Sequence, residues 1–459
     1  MKLNTTLWQH QELITQFMLN HTVSLIGAGM GTGKTLASLK YITETLPEKV
    51  LVVTTKRGLA VWQYQINLHS VDAPITILNG NTVAGKVKLF NDSKDSRVFV
   101  SNYDSLWRLP LYTEFINWKP VTILLDESHR IKAAGSKVSR QIHKLGRVAA
   151  RRICMTGTPF ADKPLDVFGQ VRFLDDTLFN HMYMGTQLKL GTNFNLFRAH
   201  YCHLIPIGTH IYKVVGYRNL EEFQDKLRPI MLQINTEDVV DLPDAVHIKR
   251  YIKLSARAQS LYTELKRELV AFLDEDSALS VHNALVKSLR LQQITGGFMS
   301  IDGRVDTVSI DTQKAEEVEA IIEDLPEDEP VVVACKFTDE INFLANKLDS
   351  VSRLTGKWDE LEEWQSGKTK VLLVQIDAGA ESIDLTRAKY CIIYSTGYSL
   401  DKYQQFLARL RRPGADLSNK IFYYHILAEN TIDDTVFEAL ETKKNINEAI
   451  LKEIKHEKA

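Results

Sequence analysis

The stretch Leu25-Ile26-Gly27-Ala28-Gly29-Met30-Gly31-Thr32-Gly33-Lys34-Thr35-Leu36-Ala37 leaves the chain few ways to fold. An apolar run from Val23 to Ile26 reads as a buried strand. A glycine-dense turn follows, and Lys34-Thr35 opens an apolar helix. In this succession consecutive backbone N–H groups can curl around phosphate oxygens, and the helix start adds its positive end. The interval from Ala28 to Lys34-Thr35 is that of a Walker A loop with Ala in the place of its first glycine. Gly31 and Gly33 belong to the cradle, Lys34 is placed to reach the β- and γ-phosphates, and the Thr35 hydroxyl to ligate Mg²⁺.

A second stretch narrows the chemistry. Val121-Thr122-Ile123-Leu124-Leu125 ends in Asp126-Glu127-Ser128-His129, two adjacent acids at the rim of a parallel sheet. Asp126 can hold the hydration shell of Mg²⁺, and Glu127 can orient and deprotonate an attacking water. Phosphoanhydride hydrolysis requires that division of labour. Gln11 lies shortly before the glycine turn, and its amide can both donate to and accept from an adenine edge. Val50 to Val53 and Val98 to Val100 are further apolar runs of the central-strand type. Their ends set Thr54, Lys56, Ser101 and Asn102 at one rim, where ligands of such sheets lie. Arg152 to Met155 leads to Thr156-Gly157-Thr158-Pro159, a hydroxyl-rich turn able to sense the acidic pair.

At 459 residues the chain is too long for one ordinary core, so two or three domains are expected. The formal net charge is −1, so any grip on nucleic acid must come from local basic strips. Arg147, Arg151 and Arg152 form one modest patch, with surface solvation the competing reading. The four cysteines, Cys154, Cys202, Cys335 and Cys391, are far apart and suggest neither a disulfide framework nor a Cys-x-x-Cys metal site. His200-Tyr201-Cys202-His203 matches no standard zinc spacing and reads as packing. No leader or membrane-spanning run is visible, which makes a reducing cytoplasm the expectation.

Residues 5–22 read as a helix, residues 162–245 as mostly helical with one hairpin over His210 to Val215, and Asp241 to Asp244 as a boundary. Residues 254–296 read as helical, interrupted near Asp274 to Ser280. A new α/β unit starts near Asp311, with strands over Val331–Cys335, Ser352–Leu354, Lys370–Val374, Tyr390–Tyr394 and Ile421–Ile426. It has no glycine loop like that of the first unit. The expected division is 1–240 for a nucleotide-binding lobe with a helical extension, 241–310 for a helical crossover and insertion, and 311–459 for a second lobe. A helix over Ser399 to Arg411 is expected to continue its turn pattern through Arg412. Gln405, Arg409 and Arg412, at intervals of four and three, then share one face, suited to supplying charge to a transferring phosphoryl.

Together these residues resemble the Snf-type ATPases of helicase superfamily two, in particular compact microbial and phage-encoded members. Gln11 resembles the adenine-sensing glutamine, Ala28 to Thr35 the first motif, Thr54 and Trp62 the next region, and Ser101-Asn102-Tyr103 the one after. Asp126-Glu127-Ser128-His129 corresponds to Asp-Glu-Ala-His, and Thr156-Gly157-Thr158-Pro159 to the third motif. In the second lobe Ala378 to Ala388, including Gly379 and Asp384, resembles the fifth motif, with Ala380 and Ser382 where glycines are usual. Gln405 to Arg412 resembles the sixth and ends in Pro413-Gly414-Ala415. The family's Arg-Arg-x-Lys element stands here as Met231-Leu232-Gln233-Ile234, with Arg228 nearby.

The resemblance implies an α/β fold of two RecA-like parallel-sheet lobes in tandem, with helical insertions and a C-terminal closing helix after Thr431. It implies ATP and Mg²⁺ as cofactors and movement along duplex DNA, with helicase activity or an RNA substrate as alternatives. Lys56, Asn102, Thr156, Thr355, Gly379 and Asp384 are the expected nucleic-acid or coupling positions. If the lobes close over ATP, Arg409 and Arg412 are expected at the γ-phosphate and Gln405 near the attacking water. A monomer serving replication, recombination or repair is the expectation, in the host cytoplasm if the chain is phage-encoded. A nucleotide-dependent clamp with little turnover is the competing function.

Overall fold

The computed structural model describes residues 3–183, 185–208, 211–273, 278–300, 307–379, 383–412 and 419–454. The chain forms two compact units: Met1–His203 with Val215–Val240 and Asn445–Ala459, and Leu204–Val214 with Asp241–Lys444. Among the described residues no helix is long and apolar enough to cross a membrane.

The first unit holds strands β1 (Val23–Ala28), β2 (Val50–Thr54), β3 (Ile75–Ile77), β4 (Val98–Asn102), β5 (Thr122–Asp126) and β6 (Arg151–Thr156). Two small pairs follow in the chain, β7 (His181–Tyr183) with β8 (Thr186–Leu188), and β9 (Cys202–Gly208) with β10 (Ile211–Tyr217), most of the latter pair belonging to the second unit. Strand β11 (Met231–Ile234) returns to complete a seven-stranded sheet of order β11-β1-β6-β5-β2-β4-β3. Every neighbouring pair in it is parallel. Successive side chains of a strand point to opposite faces, and both faces here are covered. Val98 and Val100 join one core with Val50, Val52, Leu124 and Trp62. Phe99 faces an aromatic cluster of Phe90, Phe115 and Trp118 instead.

The region expected to be mostly helical, 162–245, is not. Its helices are Phe168–Leu174, Phe194–Tyr201, Leu220–Leu227 and the single turn Thr236–Val239, besides a 3₁₀ turn at Pro164–Val167. The β-branched and aromatic residues of Cys202–Gly208 and Ile211–Tyr217, with Pro206 in the first, fit a pleated surface better than a helix. His210 of the expected hairpin lies outside the described residues. Met231-Leu232-Gln233-Ile234 is a buried edge strand, with Met231 and Leu232 opposite Leu25 and Ile26 of β1. The N-terminal helix is also shorter than expected, Gln9–Asn20.

The second unit contributes β12 (Ala245–Ile252), the pair β13 (Phe298–Ser300) and β14 (Thr307–Ser309), and β15 (Val331–Cys335). It adds β16 (Val351–Leu354), β17 (Val371–Gln375), β18 (Tyr390–Ile393) and β19 (Ile421–Ala428). The sheet runs β12-β19-β18-β15-β17-β16, again parallel throughout. Strand β15 shows why its sequence is an unbroken apolar run: Val332 and Ala334 enter one core, Val331, Val333 and Cys335 the other. The crossover segment thus opens with a strand of this sheet, then continues as helices Ala256–Leu273 and Ala278–Thr295. The final helix runs Ile432–Ile454. All four cysteines are buried and free.

The helix expected over Ser399 to Arg411 covers only Leu400–Leu407. Leu385 N–H bonds the Arg409 carbonyl at 3.1 Å, drawing that residue out of a helical ladder. Pro413 also disfavours helical geometry at Arg412. Gln405, Arg409 and Arg412 therefore do not share one helical face. The two parallel sheets, with their helices and the long final helix, make two RecA-like lobes.

Candidate active site

Strand β1 delivers the chain into a turn where Gly31 (φ 77°) and Gly33 (φ 79°) adopt left-handed backbone. Gly33 is the residue before the helix Lys34–Thr45, and a Cβ on it would stand 2.1 Å from Gln11 Nε2. Close approach, as well as backbone freedom, requires glycine there. Gln11 is buried, accepts the Trp8 N–H at 3.0 Å and donates to the Thr32 carbonyl at 3.1 Å. A His10 ring nitrogen lies 2.8 Å from the same carbonyl. On the other flank the Thr236 hydroxyl donates to Met30 O at 3.0 Å, and it would collide with any side chain at Gly29.

Lys34 folds its ammonium over the loop, 2.7 Å from Ala28 O and 3.0 Å from Gly29 O. Thr35, half-buried, follows in the first turn of the helix. The donor set fits a magnesium nucleotide: loop N–H groups and an ammonium for phosphate oxygens, and a hydroxyl and a carboxylate for the hard cation.

The carboxylate comes from β5. Asp126 Oδ2 accepts the Thr54 hydroxyl at 2.9 Å and the Trp62 indole N–H at 2.9 Å. Burial and the neighbouring Glu127 charge raise its pKa, while those two bonds and the Lys34 charge oppose the rise. The Lys34 ammonium therefore acts electrostatically on Asp126. The Tyr103 hydroxyl fixes the Asp126 carbonyl at 2.8 Å. Glu127 stands at φ 53°, a left-handed conformation unusual for a non-glycine residue, and its Oε2 is 3.4 Å from His129 Nδ1. That same nitrogen is 3.0 Å from the Thr156 hydroxyl, which accepts the Thr158 N–H at 3.1 Å. One line of contacts thus joins the second acid to the turn after β6. Ser128 donates to Gln170 at 2.7 Å, and Gln170 to Pro159 O at 2.7 Å, tying the two motifs together again.

Six further expected positions divide sharply by burial. Lys56 and Asp384 are exposed. Asn102, Thr156 and Thr355 are buried, and their side-chain oxygens are used internally. Asn102 Oδ1 accepts from Lys86 and from Ser105, and Thr355 Oγ1 accepts the N–H groups of Lys357 and Trp358, both at 3.1 Å. These three side chains shape the rim from within the fold. Gly379 is likewise not a surface loop residue. It ends the short helix Ile376–Gly379, where a Cβ would press 2.7 Å from Val374 and 3.1 Å from Phe406. Ala380 to Ser382 and Pro413 to Ala415 lie outside the described residues.

In the second unit Gln405 donates to Asp401 at 2.8 Å. Arg412 donates to Ile383 O at 2.5 Å and stands 3.8 Å from Asp384. Burial would raise the Asp384 pKa, but the Thr386 bonds and the Arg412 and Arg409 charges outweigh it and hold the carboxyl low. The Arg412 guanidinium thus braces the Ile383–Asp384 turn.

Sequence reasoning placed Thr54, Trp62 and Tyr103 in motifs without seeing that all three hold Asp126, and it missed His10 and Thr236. A buried tryptophan needs a partner for its N–H, which is the available signal for Trp62. Thr236 had none, because the return of β11 beside β1 is a long-range event.

A family model described as the SNF2-related domain matches residues 10–297, and the helicase conserved C-terminal domain matches 313–414. The chain is 25% identical to protein p41 of Acyrthosiphon pisum secondary endosymbiont phage 1, over 97% of this chain and 98% of that protein. It is 22% identical to the uncharacterized ATP-dependent helicase MG018 of Mycoplasma genitalium, over 93% of this chain but 40% of the helicase. Among solved structures, the Sulfolobus solfataricus SWI2/SNF2 ATPase core in complex with dsDNA is 20% identical, with TM-score 0.44, covering 98% of this chain and 93% of that one. The SNF2-related match spans well over half of the sequence and takes in Gln11, the glycine loop and the acidic pair: the chain belongs to the SNF2-related ATPases of helicase superfamily two.

Proposed function

We propose that the chain is an ATP-driven motor that tracks along duplex DNA, a compact phage-type member of its family working in replication, recombination or repair in the host cytoplasm. The observation that carries the reading is the pairing of a lysine-closed glycine loop with a buried aspartate held by Thr54 and Trp62 and felt electrostatically by Lys34. That arrangement suits Mg·ATP: loop N–H groups and Lys34 on the β- and γ-phosphates, Thr35 and Asp126 on the metal. Bound Mg²⁺ neutralises charge on the phosphoryl oxygens. Glu127 orients the attacking water and takes its proton, and His129 links Glu127 to the Thr156 turn. Gln11 reads the adenine edge while bracing the loop. In the second unit, Arg409 and Arg412 are the residues on which turnover also depends in this reading.

With a formal net charge of −1, the grip on the duplex rests on local phosphate contacts, is salt-sensitive and is indifferent to sequence. Lys56 is the exposed candidate for such a contact. Phosphate release measured with and without duplex DNA tests the reading. At least a roughly tenfold rise with DNA is expected, with Glu127→Gln binding Mg·ATP but failing to turn over. Flat turnover with nucleotide-dependent DNA retention would establish the clamp instead. Stimulation by duplex RNA above DNA would reassign the polymer.

A further inference from the structure

His181, His200 and Glu222 are far apart in sequence and come from three elements of the first unit: β7, the helix Phe194–Tyr201 and the helix Leu220–Leu227. One ligand-capable atom of each lies within 4.8 Å of the other two, and among the described residues this is the one such group of three. His200 Nε2 is 2.9 Å from Glu222 Oε2, and His181 Nδ1 is 3.5 Å from Glu222 Oε1. Ligands of a tetrahedral zinc ion sit about 2.0–2.2 Å from the metal and hence about 3.3–3.5 Å from one another. The His181–Glu222 separation already meets that spacing, and the three ligand atoms, all within 4.8 Å of one another, reach it by side-chain rotation.

An ordinary hydrogen-bonded pair accounts for the His200 contact but leaves His181 turned toward the same carboxylate without a good bond. The 3.5 Å separation at His181 is at the outer limit of a hydrogen bond. Glu222 also already has a cation beside it, Lys226 Nζ at 3.6 Å, which is anchored on Leu178 O and Asn180 O. In the metal-free chain the His200 Nε2–H donates to the Glu222 carboxylate at 2.9 Å; a metal would take that proton's place on the nitrogen lone pair. The Tyr201 hydroxyl donates to Glu222 Oε1 at 3.1 Å, an outer bond of the kind that orients metal-binding carboxylates. Phe179, Phe197 and Phe223 pack around Tyr201, giving the group a firm floor.

We propose that His181, His200 and Glu222 bind one divalent transition-metal ion of the zinc class, with water in the fourth position. The ion ties β7 to the two helices and staples this extension of the first unit, independently of nucleotide. The sequence concealed the group because its spacings, far longer than those of a zinc knuckle or finger, look like nothing in particular.

The test uses the full chain, stripped of metal and titrated with Co²⁺ alone, then with Zn²⁺ as competitor. One Co²⁺ per chain is expected, with the visible absorption of a four-coordinate N/O site that Zn²⁺ abolishes. His181→Ala and His200→Ala should each weaken binding at least tenfold. Glu222→Gln, which keeps the side-chain shape, should do the same while circular dichroism remains that of the parent, so that misfolding is not mistaken for lost ligation. Saturating Zn²⁺ should raise the Tm of the stripped parent and leave that of Glu222→Gln unchanged. Absence of stoichiometric binding in the parent, or equal binding in Glu222→Gln, overturns the proposal whatever the ATPase does.

Discussion

Each unit sends a central strand into a turn and then a helix, but the two treat the helix start in opposite ways. After β1 the first unit leaves backbone N–H groups in a glycine loop and closes it with the Lys34 ammonium, 2.7 Å from Ala28 O. After β15 the second unit satisfies its own turn: Glu340 Oε2 accepts the N–H groups of Lys336 at 3.1 Å and Phe337 at 3.0 Å, and also the Ser395 hydroxyl. The carboxylate that a nucleotide phosphate would resemble is therefore built into the chain. A helix start attracts anions in either unit. What decides between a binding site and a structural cap is whether the sequence provides the anion itself.

The largest effect expected from this contrast separates the two lysines. Lys34→Ala should reduce ATP turnover by about 10³-fold or more, because an ammonium aimed at phosphates acts chiefly in the transition state. It should leave the unfolding midpoint nearly unchanged. Lys336→Ala, after the corresponding strand of the second unit, should leave nucleotide binding intact, since Lys336 donates to Gln292 within its own unit. Equal losses from both would break the distinction.

Lacking a glycine loop does not make the second unit idle. Arg409→Ala or Arg412→Ala should lower DNA-stimulated turnover by roughly 10²-fold while changing ATP binding less. If the maximum rate returns at saturating duplex, both arginines belong to polymer binding. Arg412→Lys is the sharper probe, because a lysine keeps the charge but loses the fork that meets Ile383 O and Asp384 together.

Much of the nucleotide half was legible because its signals are local. The glycine turn, the apolar run into Asp126-Glu127 and the Thr-Gly-Thr-Pro turn each carry their own chemistry within ten residues. The two parallel sheets followed from runs such as Val331 to Cys335, buried on both faces. What stayed hidden depends on distant segments meeting. Trp62 reaches Asp126 across 64 positions, and β11 returns beside β1 after some 200 residues, so neither leaves a periodicity to read. The three-residue spacing of Arg409 and Arg412 looked helical, but after Leu407 the bonds tighten to i−3 turns and the Arg409 carbonyl serves Leu385. Asn102 and Thr156 end their strands and Thr355 follows β16, yet the side chains of all three are buried in the fold.

The capped helix start also sets a pH dependence that the open one lacks. Burial drives the Glu340 pKa up to about 7 from 4.5, against the Ser395 and Phe337 bonds and the Lys314 charge. Its folded pKa exceeds the unfolded one, so the folded state holds the extra proton between pH 4.5 and about 7. Stability from this group is accordingly complete below pH 4.5 and declines as pH rises to about 7, by about 3 kcal/mol in all. Glu340→Gln should flatten that slope in urea unfolding at pH 5 and pH 8. An unchanged slope would assign it to other groups.

The smallest effect compares the two tryptophans that are fully buried. Trp62 donates to the Asp126 carboxylate at 2.9 Å, whereas Trp364 in the second unit donates to the Lys370 backbone carbonyl at 3.1 Å. Phenylalanine in either place keeps most of the packing and removes one N–H. A bond to a charged acceptor contributes about 1.5–3 kcal/mol and a neutral one about 1 kcal/mol. In Trp364→Phe the carbonyl loses its partner, and the cost appears only as about 1 kcal/mol of stability. In Trp62→Phe the charged form of Asp126 loses support that now opposes burial and the Glu127 charge, so its pKa climbs further. The acidic limb of the turnover–pH profile should move upward, with turnover on that limb falling below the parent's. The Trp364→Phe profile should overlay the parent. A Trp62→Phe profile that also overlays it would mean that Thr54 alone holds Asp126 in its working state.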